Sequence, residues 1–128
     1  MNIMNPQKPN ITFEDFQKLD IRICKILSVE KVEKSDKLYK MEIDTGFDTR
    51  VVVSSIAKDF PVNQILNQHL PFVLNLETRK IFGIESQAMI ILAETVQSKK
   101  LFQISPLVYD DVIPSGDGWK ELTGATII

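Results

Sequence analysis

The sequence predicts an all-β fold. Five strands close into a small barrel, with a short N-terminal helix, a helical insert between strands three and four, and a C-terminal extension. Three observations carry this. Residues 19–29 and 39–44 alternate apolar and polar side chains, the period-two pattern of half-buried strands. Three further runs, 50–54, 69–76 and 86–93, are dominated by apolar residues and bounded by charged or turn-forming stretches. Between the third and fourth runs, residues 54–67 lose the strand pattern: Ile56, Ala57 and Phe60 precede Pro61, and Ile65 and Leu66 follow it, as two short helical pieces.

The elements follow in order. Residues 1–10 hold two prolines and several amides and read as a flexible arm. Residues 11–16 read as a short helix, with Thr12 as N-cap and Asp15 at the third position. In the first strand Leu19, Ile21, Ile23, Leu27 and Val29 share one parity, and Lys25 and Ile26 break it, which predicts a bend or bulge. A long, bent first strand can serve both sides of a closed barrel. Residues 30–37 form a charged connection, and Thr45-Gly46-Phe47-Asp48 a turn. Val51, Val52 and Val53 in succession predict burial on both faces. Pro71 places the fourth run at an exposed or starting position in its sheet. Glu77-Thr78-Arg79-Lys80 reads as a basic turn, after which Gly83 permits a sharp change of direction. Residues 94–100 read as a polar turn. A five-stranded Greek-key barrel with its helix between the third and fourth strands resembles the OB-fold.

Length and composition bound the function. A chain of 128 residues is one domain by length, here 1–128, and is long enough to bury a core without disulfides or metal. A net charge of −2 counts against a simply basic nucleic-acid binder, but the charge is uneven. Nine of the 15 Lys and Arg residues lie between Lys8 and Arg50, while Asp110, Asp111, Asp117 and Glu121 fall in the last third. The single cysteine, Cys24, excludes an internal disulfide and reads as a small buried hydrophobe. His69 is the only histidine and has no clustered ligand types beside it, so no metal or other cofactor is expected. No apolar run approaches the roughly 20 residues of a membrane span, and the N-terminus lacks a signal-peptide core. A cytosolic location is expected, and the initial Met and short polar arm read as the start of a complete small protein. No phosphate loop, GxSxG or HExxH pattern is present, and no catalytic residue is assigned.

One stretch organises the rest. Residues 75–89, NLETRKIFGIESQAM, resemble a segment of the tRNA-binding domain family: asparagine-leucine, a basic turn, glycine, then serine ahead of a small residue and methionine. KLDIR at 18–22 looks like the family's first strand, and SDKLY at 35–39 followed by RVVVSSIAK at 50–58 looks like its second and third. The resemblance covers residues 13–93. The family includes the C-terminal domain of many methionyl-tRNA synthetases, stand-alone dimeric tRNA-binding proteins and the endothelial monocyte-activating polypeptide domain. Two departures stand out: Cys24 replaces a usual glycine, and Val32-Glu33 a usual histidine-proline. Glu33 sets a negative charge in that loop and leaves Lys37 as its better cation.

The resemblance implies a non-catalytic protein that binds tRNA, as a dimeric subunit or appended-domain equivalent of methionyl-tRNA synthetase. The candidate surface is Lys37, Arg50, Asn75, Arg79, Lys80, Ser86 and Met89 on one face, near the loops that flank the binding face of an OB-fold. The cations suit phosphate oxygens through charge-assisted hydrogen bonds. Ser86 offers a hydroxyl, and Met89 either an apolar contact to a splayed base or ordinary core packing. Residues 94–128 are surplus to a five-stranded barrel. Leu101, Phe102, Trp119 and Leu122 there bury either in a homodimer interface or back on the same barrel. The alternative function is that of a CsaA-like export chaperone binding unfolded polypeptide, which shares the fold and a similar KLDIR start. GIESQAM favours the tRNA-binding form; the negative net charge favours the chaperone.

Overall fold

The computed structural model describes residues 6–103 and 123–128. Trp119, Leu122 and the acids at 110, 111, 117 and 121 lie outside them.

Helix α1 spans Phe13–Gln17, and the Thr12 hydroxyl accepts the Asp15 N–H at 3.0 Å, as the capping pattern predicts. No residue of α1 is buried. Strand β1, Ile21–Lys31, is the longest element. Its first half pairs with β4, His69–Val73, and its second half with β2, Tyr39–Asp44. The register shifts between Ile26 and Ser28, so the bulge falls one residue beyond the predicted break. Strand β3, Thr49–Ser54, pairs with β2. Helix α2, Val62–Ile65, follows Pro61, and residues 56–60 make a helical turn through Phe60 N–H to Ile56 O at 3.1 Å. Arg79–Ile81 (β5) and Ile84–Ser86 (β6) form a separate two-stranded ribbon. Met89–Ile90 (β7) returns to pair with β4, and Leu92–Glu94 (β8) pairs with Lys99–Leu101 (β9). The main sheet runs β3-β2-β1-β4-β7, all antiparallel, and is curled in the manner of an OB-fold.

Two predicted strands differ. The fourth ends at Val73: Leu74 N–H still bonds Asp20 O in register at 2.8 Å, but Asp20 N–H goes to Asn75 Oδ1 at 2.7 Å and Leu74 O accepts Arg50, so the return rung is not made. The fifth is broken into β6, β7 and β8. Residues 79 and 80, expected in a turn, are strand residues, and the turn sits at Phe82–Gly83. Lys99 and Lys100 likewise lie in β9 rather than in a turn. Pro71 is buried mid-strand, neither exposed nor at a start. Its partner Ile23 turns its own N–H and C=O the other way, to Ala125 O at 2.9 Å and Gly124 N at 2.7 Å. The Ile23–Pro71 pair therefore exchanges no backbone bonds, and the N–H that proline lacks is not needed by β1.

Those bonds show where the C-terminal end goes. Residues 123–127 lie along β1 beyond the end of β2, with Ile127 N–H to Ile21 O at 2.8 Å. Gly124 and Gly46 meet there so closely that a Cβ on Gly46 would stand 2.8 Å from Gly124 Cα. This end of the chain packs back on its own sheet.

The core gathers Cys24, Ile26, Met41, Ile43, Val52, Ile65, Leu70 and Phe72, all but inaccessible. Burial pushes the Cys24 thiol up to about 12, so it stays a protonated hydrophobe. A smaller cluster of Val32, Leu38 and Val53, with Ile81 and Ile84 against it, seats the ribbon.

The sheet's edges meet through side chains. Ser86 Oγ accepts the buried Val53 N–H at 3.0 Å, Gln87 Oε1 accepts Val51 N–H at 2.9 Å, and Gln87 N–H returns to Val51 O at 2.8 Å. Ser86→Ala strands the Val53 N–H in a buried site and should cost about 1–3 kcal/mol in urea unfolding. A loss below a few tenths would show that water replaces the hydroxyl.

His69 supplies a pH-dependent contribution. Burial, then the neighbouring Lys25, lowers its pKa, so the fold prefers neutral imidazole. As pH falls below about 6.5 the unfolded chain takes up the proton first, and stability drops until the lower folded pKa is passed. His69→Gln should flatten that part of a stability–pH profile measured by thermal unfolding; an unchanged slope would assign it to other groups.

Candidate functional site

The β5–β6 ribbon pairs Arg79 with Ser86, Lys80 with Glu85 and Ile81 with Ile84. Strand alternation puts Arg79, Ile81, Ile84 and Ser86 on one face, toward the sheet, and Lys80 and Glu85 on the other. The two adjacent cations therefore flank the ribbon, one on each of its faces. Beside the inner face lies a cleft of about 270 Å³. Leu76, Ile81, Ala88, Met89 and Leu92 give it apolar walls, and Glu77, Arg79, Glu94 and Lys99 a charged rim. Met89 is 51% exposed and belongs to the cleft surface, not to the core.

The seven candidates divide by what their side chains already hold. Arg79, Lys80 and Lys37 are exposed, and none is in an ion pair among the described residues. Lys37 sits at the foot of the 32–38 loop, where its carbonyl accepts Ala57 N–H at 3.0 Å. Met89 is the fourth side chain open to a ligand.

Arg50, Asn75 and Ser86 are committed to the fold. Arg50 donates to Leu74 O at 2.7 Å and Gln87 O at 3.4 Å, and its Nε lies 3.2 Å from the Asp48 carboxylate. The Asp48 carboxyl is held below its usual value first by the Thr45 hydroxyl and then by Arg50. Arg50 and Arg22 also stack on Phe47, at 5.5 and 4.8 Å from the ring centre. Asn75 accepts Asp20 N–H at 2.7 Å and donates to Lys18 O, so it locks the chain entering β1 to the end of β4. Ser86 closes the sheet edge and donates to Ala88 O at 3.3 Å. These three tie the segment after β4 to β3 and to the chain entering β1.

Two further residues shape the site without having stood out in the sequence, Gln87 and Lys99. Lys99 ties β9 to the 55–59 segment through Ser55 O at 3.1 Å and Asp59 at 3.4 Å. Gln87 has one faint signal, an amide beside Ser86 just after a short strand, able to accept and donate at an unpaired edge. His69 Nε2 meets Thr123 Oγ1 at 3.1 Å. Among the described residues no group of three His, Cys, Asp or Glu could hold a metal, and no helix is long and apolar enough to cross a membrane.

Comparisons with known proteins bear on the family and the fold. The tRNA binding domain family model matches residues 21–116. The methionine–tRNA ligase of Flavobacterium johnsoniae is 43% identical over 97 residues, which are 76% of this chain and 14% of the ligase. The chain thus spans about 14% of that relative's length. Among solved structures, a MetRS related protein from Pyrococcus horikoshii superposes with a TM-score of 0.76 at 28% identity, over 94% of this chain and 100% of that one. The CsaA chaperone protein from Picrophilus torridus superposes with a TM-score of 0.74 at 22% identity, over 93% of this chain and 100% of that one, and shares the fold. With the family model covering the sheet, the ribbon and the cleft alike, this chain belongs to the tRNA-binding domain family, related to the C-terminal region of methionyl-tRNA synthetases.

Proposed function

We propose that residues 1–128 act as one tRNA-binding unit in the cytoplasm, without catalysis, metal or other cofactor, as a dimeric subunit or appended-domain equivalent of a methionyl-tRNA synthetase. One observation carries the reading: Arg79 and Lys80 stand exposed and outside any ion pair among the described residues, on a ribbon at the lip of a cleft. A ribbon with a cation on each face can straddle a phosphate backbone and hydrogen-bond on both sides of it. Lys37 adds a third cation, and Met89 an apolar surface for a ribose or an unstacked base. Membership of the tRNA-binding domain family supports tRNA as the partner. The ligase of F. johnsoniae, similar to this chain over 14% of its length, supports work alongside a synthetase.

Besides the negative net charge, a CsaA-like reading has one structural observation in its favour, the apolar wall of Leu76, Ile81, Met89 and Leu92, which suits an extended polypeptide. Arg79→Glu with Lys80→Glu separates the two. The double variant should keep its fold and bind tRNA far more weakly in a filter assay with total tRNA. Its salt slope should fall by about 0.7–0.9 for each phosphate that is no longer neutralised. Undiminished tRNA binding at low salt would remove the ribbon from the site, and tight binding of an unfolded polypeptide by the parent would then favour the chaperone.

Dimerisation is supported by exposed apolar surface. On α1, Phe13 is 72% exposed and its ring lies 6.5 Å from that of Phe16; Phe102 after β9 is also exposed, while Leu101 packs against the core. Sedimentation equilibrium at micromolar concentration should give a dimer mass, and Phe13→Asp with Phe16→Asp should shift it toward monomer. A monomer mass for the parent would overturn this.

A further inference from the structure

The turn of the β5–β6 ribbon has positive φ at both central residues, 55° at Phe82 and 81° at Gly83. That is the geometry of a type I′ hairpin turn, which takes Asn-Gly or Gly-Gly because a Cβ crowds the following carbonyl there. Gly83 satisfies it. Phe82 does not, since a bulky side chain in the left-handed region is strained. The phenylalanine gains little packing in return: the residue is 58% exposed and lies outside both apolar clusters. A strained, unburied aromatic at the tip of a ribbon carrying the exposed cations Arg79 and Lys80 is poorly explained by folding alone.

Resting on the tRNA-binding reading above, we propose that Phe82 is a stacking platform for one unpaired base of the bound tRNA. The recess beside the ring is lined by Lys31, Val32, Lys40 and Ile84, together with Glu30 and Glu33. Lys40 is already within 3.8 Å of Glu30, and Glu33 offsets Lys31, so the recess carries no net positive charge to draw a phosphate. What it presents is the exposed Phe82 beside the apolar Ile84 and the buried Val32. Bases that are splayed out of RNA loops stack on aromatic side chains regardless of sequence, because every base has a π-face. The ribbon thus divides the work: Arg79 and Lys80 hold the backbone, and Phe82 takes a base.

The test is filter binding of total tRNA by the full chain, over a range of salt, with thermal unfolding beside it. Phe82→Ala should weaken binding roughly 5- to 100-fold. Its salt slope should match the parent's, since every phosphate remains neutralised, whereas the Arg79 and Lys80 variants lower the slope. Phe82→Tyr should bind like the parent, and Phe82→Leu like the alanine variant, because stacking needs a ring and not only apolar bulk. Phe82→Asn fits the turn better and should raise the unfolding midpoint by about 4 °C while still weakening binding. Parent binding with Phe82→Ala and Phe82→Asn within twofold of it would overturn the platform and leave the tRNA reading standing. A parent that binds no tRNA would overturn both.

Discussion

The structure depends on how the outer edge of β3 is closed. Rolling a five-stranded sheet leaves β3 at one end of the order and β7 at the other. An open edge presents unpaired N–H and C=O groups, and buried ones must find partners. Here the partners are mostly side chains. Ser86 Oγ and Gln87 Oε1 accept the N–H groups of Val53 and Val51, and only Gln87 N–H to Val51 O is a backbone bond. Side chains do this because the ribbon must leave the sheet before β7 can re-enter it. A hydroxyl and an amide reach across a gap that a regular ladder would not span. The base of the ribbon is thereby fixed to β3 while its tip stays outside the sheet.

Arg50 and Asn75 set the other end of the same segment. Arg50 holds Leu74 O and Gln87 O, on either side of the ribbon, from a position on β3. Asn75 ties the chain after β4 to residues 18 and 20 ahead of β1. Residues 74–87 thus form a loop clamped at its base by side chains whose polar atoms are engaged in the fold. The cations further out, Arg79 and Lys80, form no ion pair among the described residues. A charge already matched by a carboxylate or carbonyl fixes geometry; a solvated, unmatched one remains available to a phosphate.

Much of this is legible in the sequence, and the rest is hidden for physical reasons. Thr12 as N-cap, the break in β1 and the strand pattern of β2 and β3 follow from local rules, and local rules decide them. Pro71 misleads because proline is excluded from a strand only where its N–H would be needed. That depends on which way Ile23 points, and on residues 124 and 125 far along the chain. Arg50, Asn75 and Ser86 read as binders from residue type, which does not reveal that their side chains also meet distant backbone groups within the fold. Arg79, Lys80, Lys37 and Met89 read as binders by the same reasoning, and their side chains are open to a partner. Phe82 reads as an apolar residue near a glycine; its backbone strain and exposure exist only in three dimensions.

The small number of candidate cations, Arg79 and Lys80 on the ribbon and Lys37 in the 32–38 loop, bears on why such a unit would be paired or attached. On the proposed reading each phosphate contact contributes an increment that salt screens away, so three cations and a stacking surface would make a weak, salt-sensitive binder when alone. Linkage changes that arithmetic. Joined to a second copy or to a synthetase, the second contact becomes intramolecular, and overall affinity rises by roughly 10²–10⁴ without a new side chain touching RNA. Under the proposed function, the clamped ribbon supplies geometry, the exposed cations supply modest attraction, and the apolar surface of α1 supplies the means of linking two such sites.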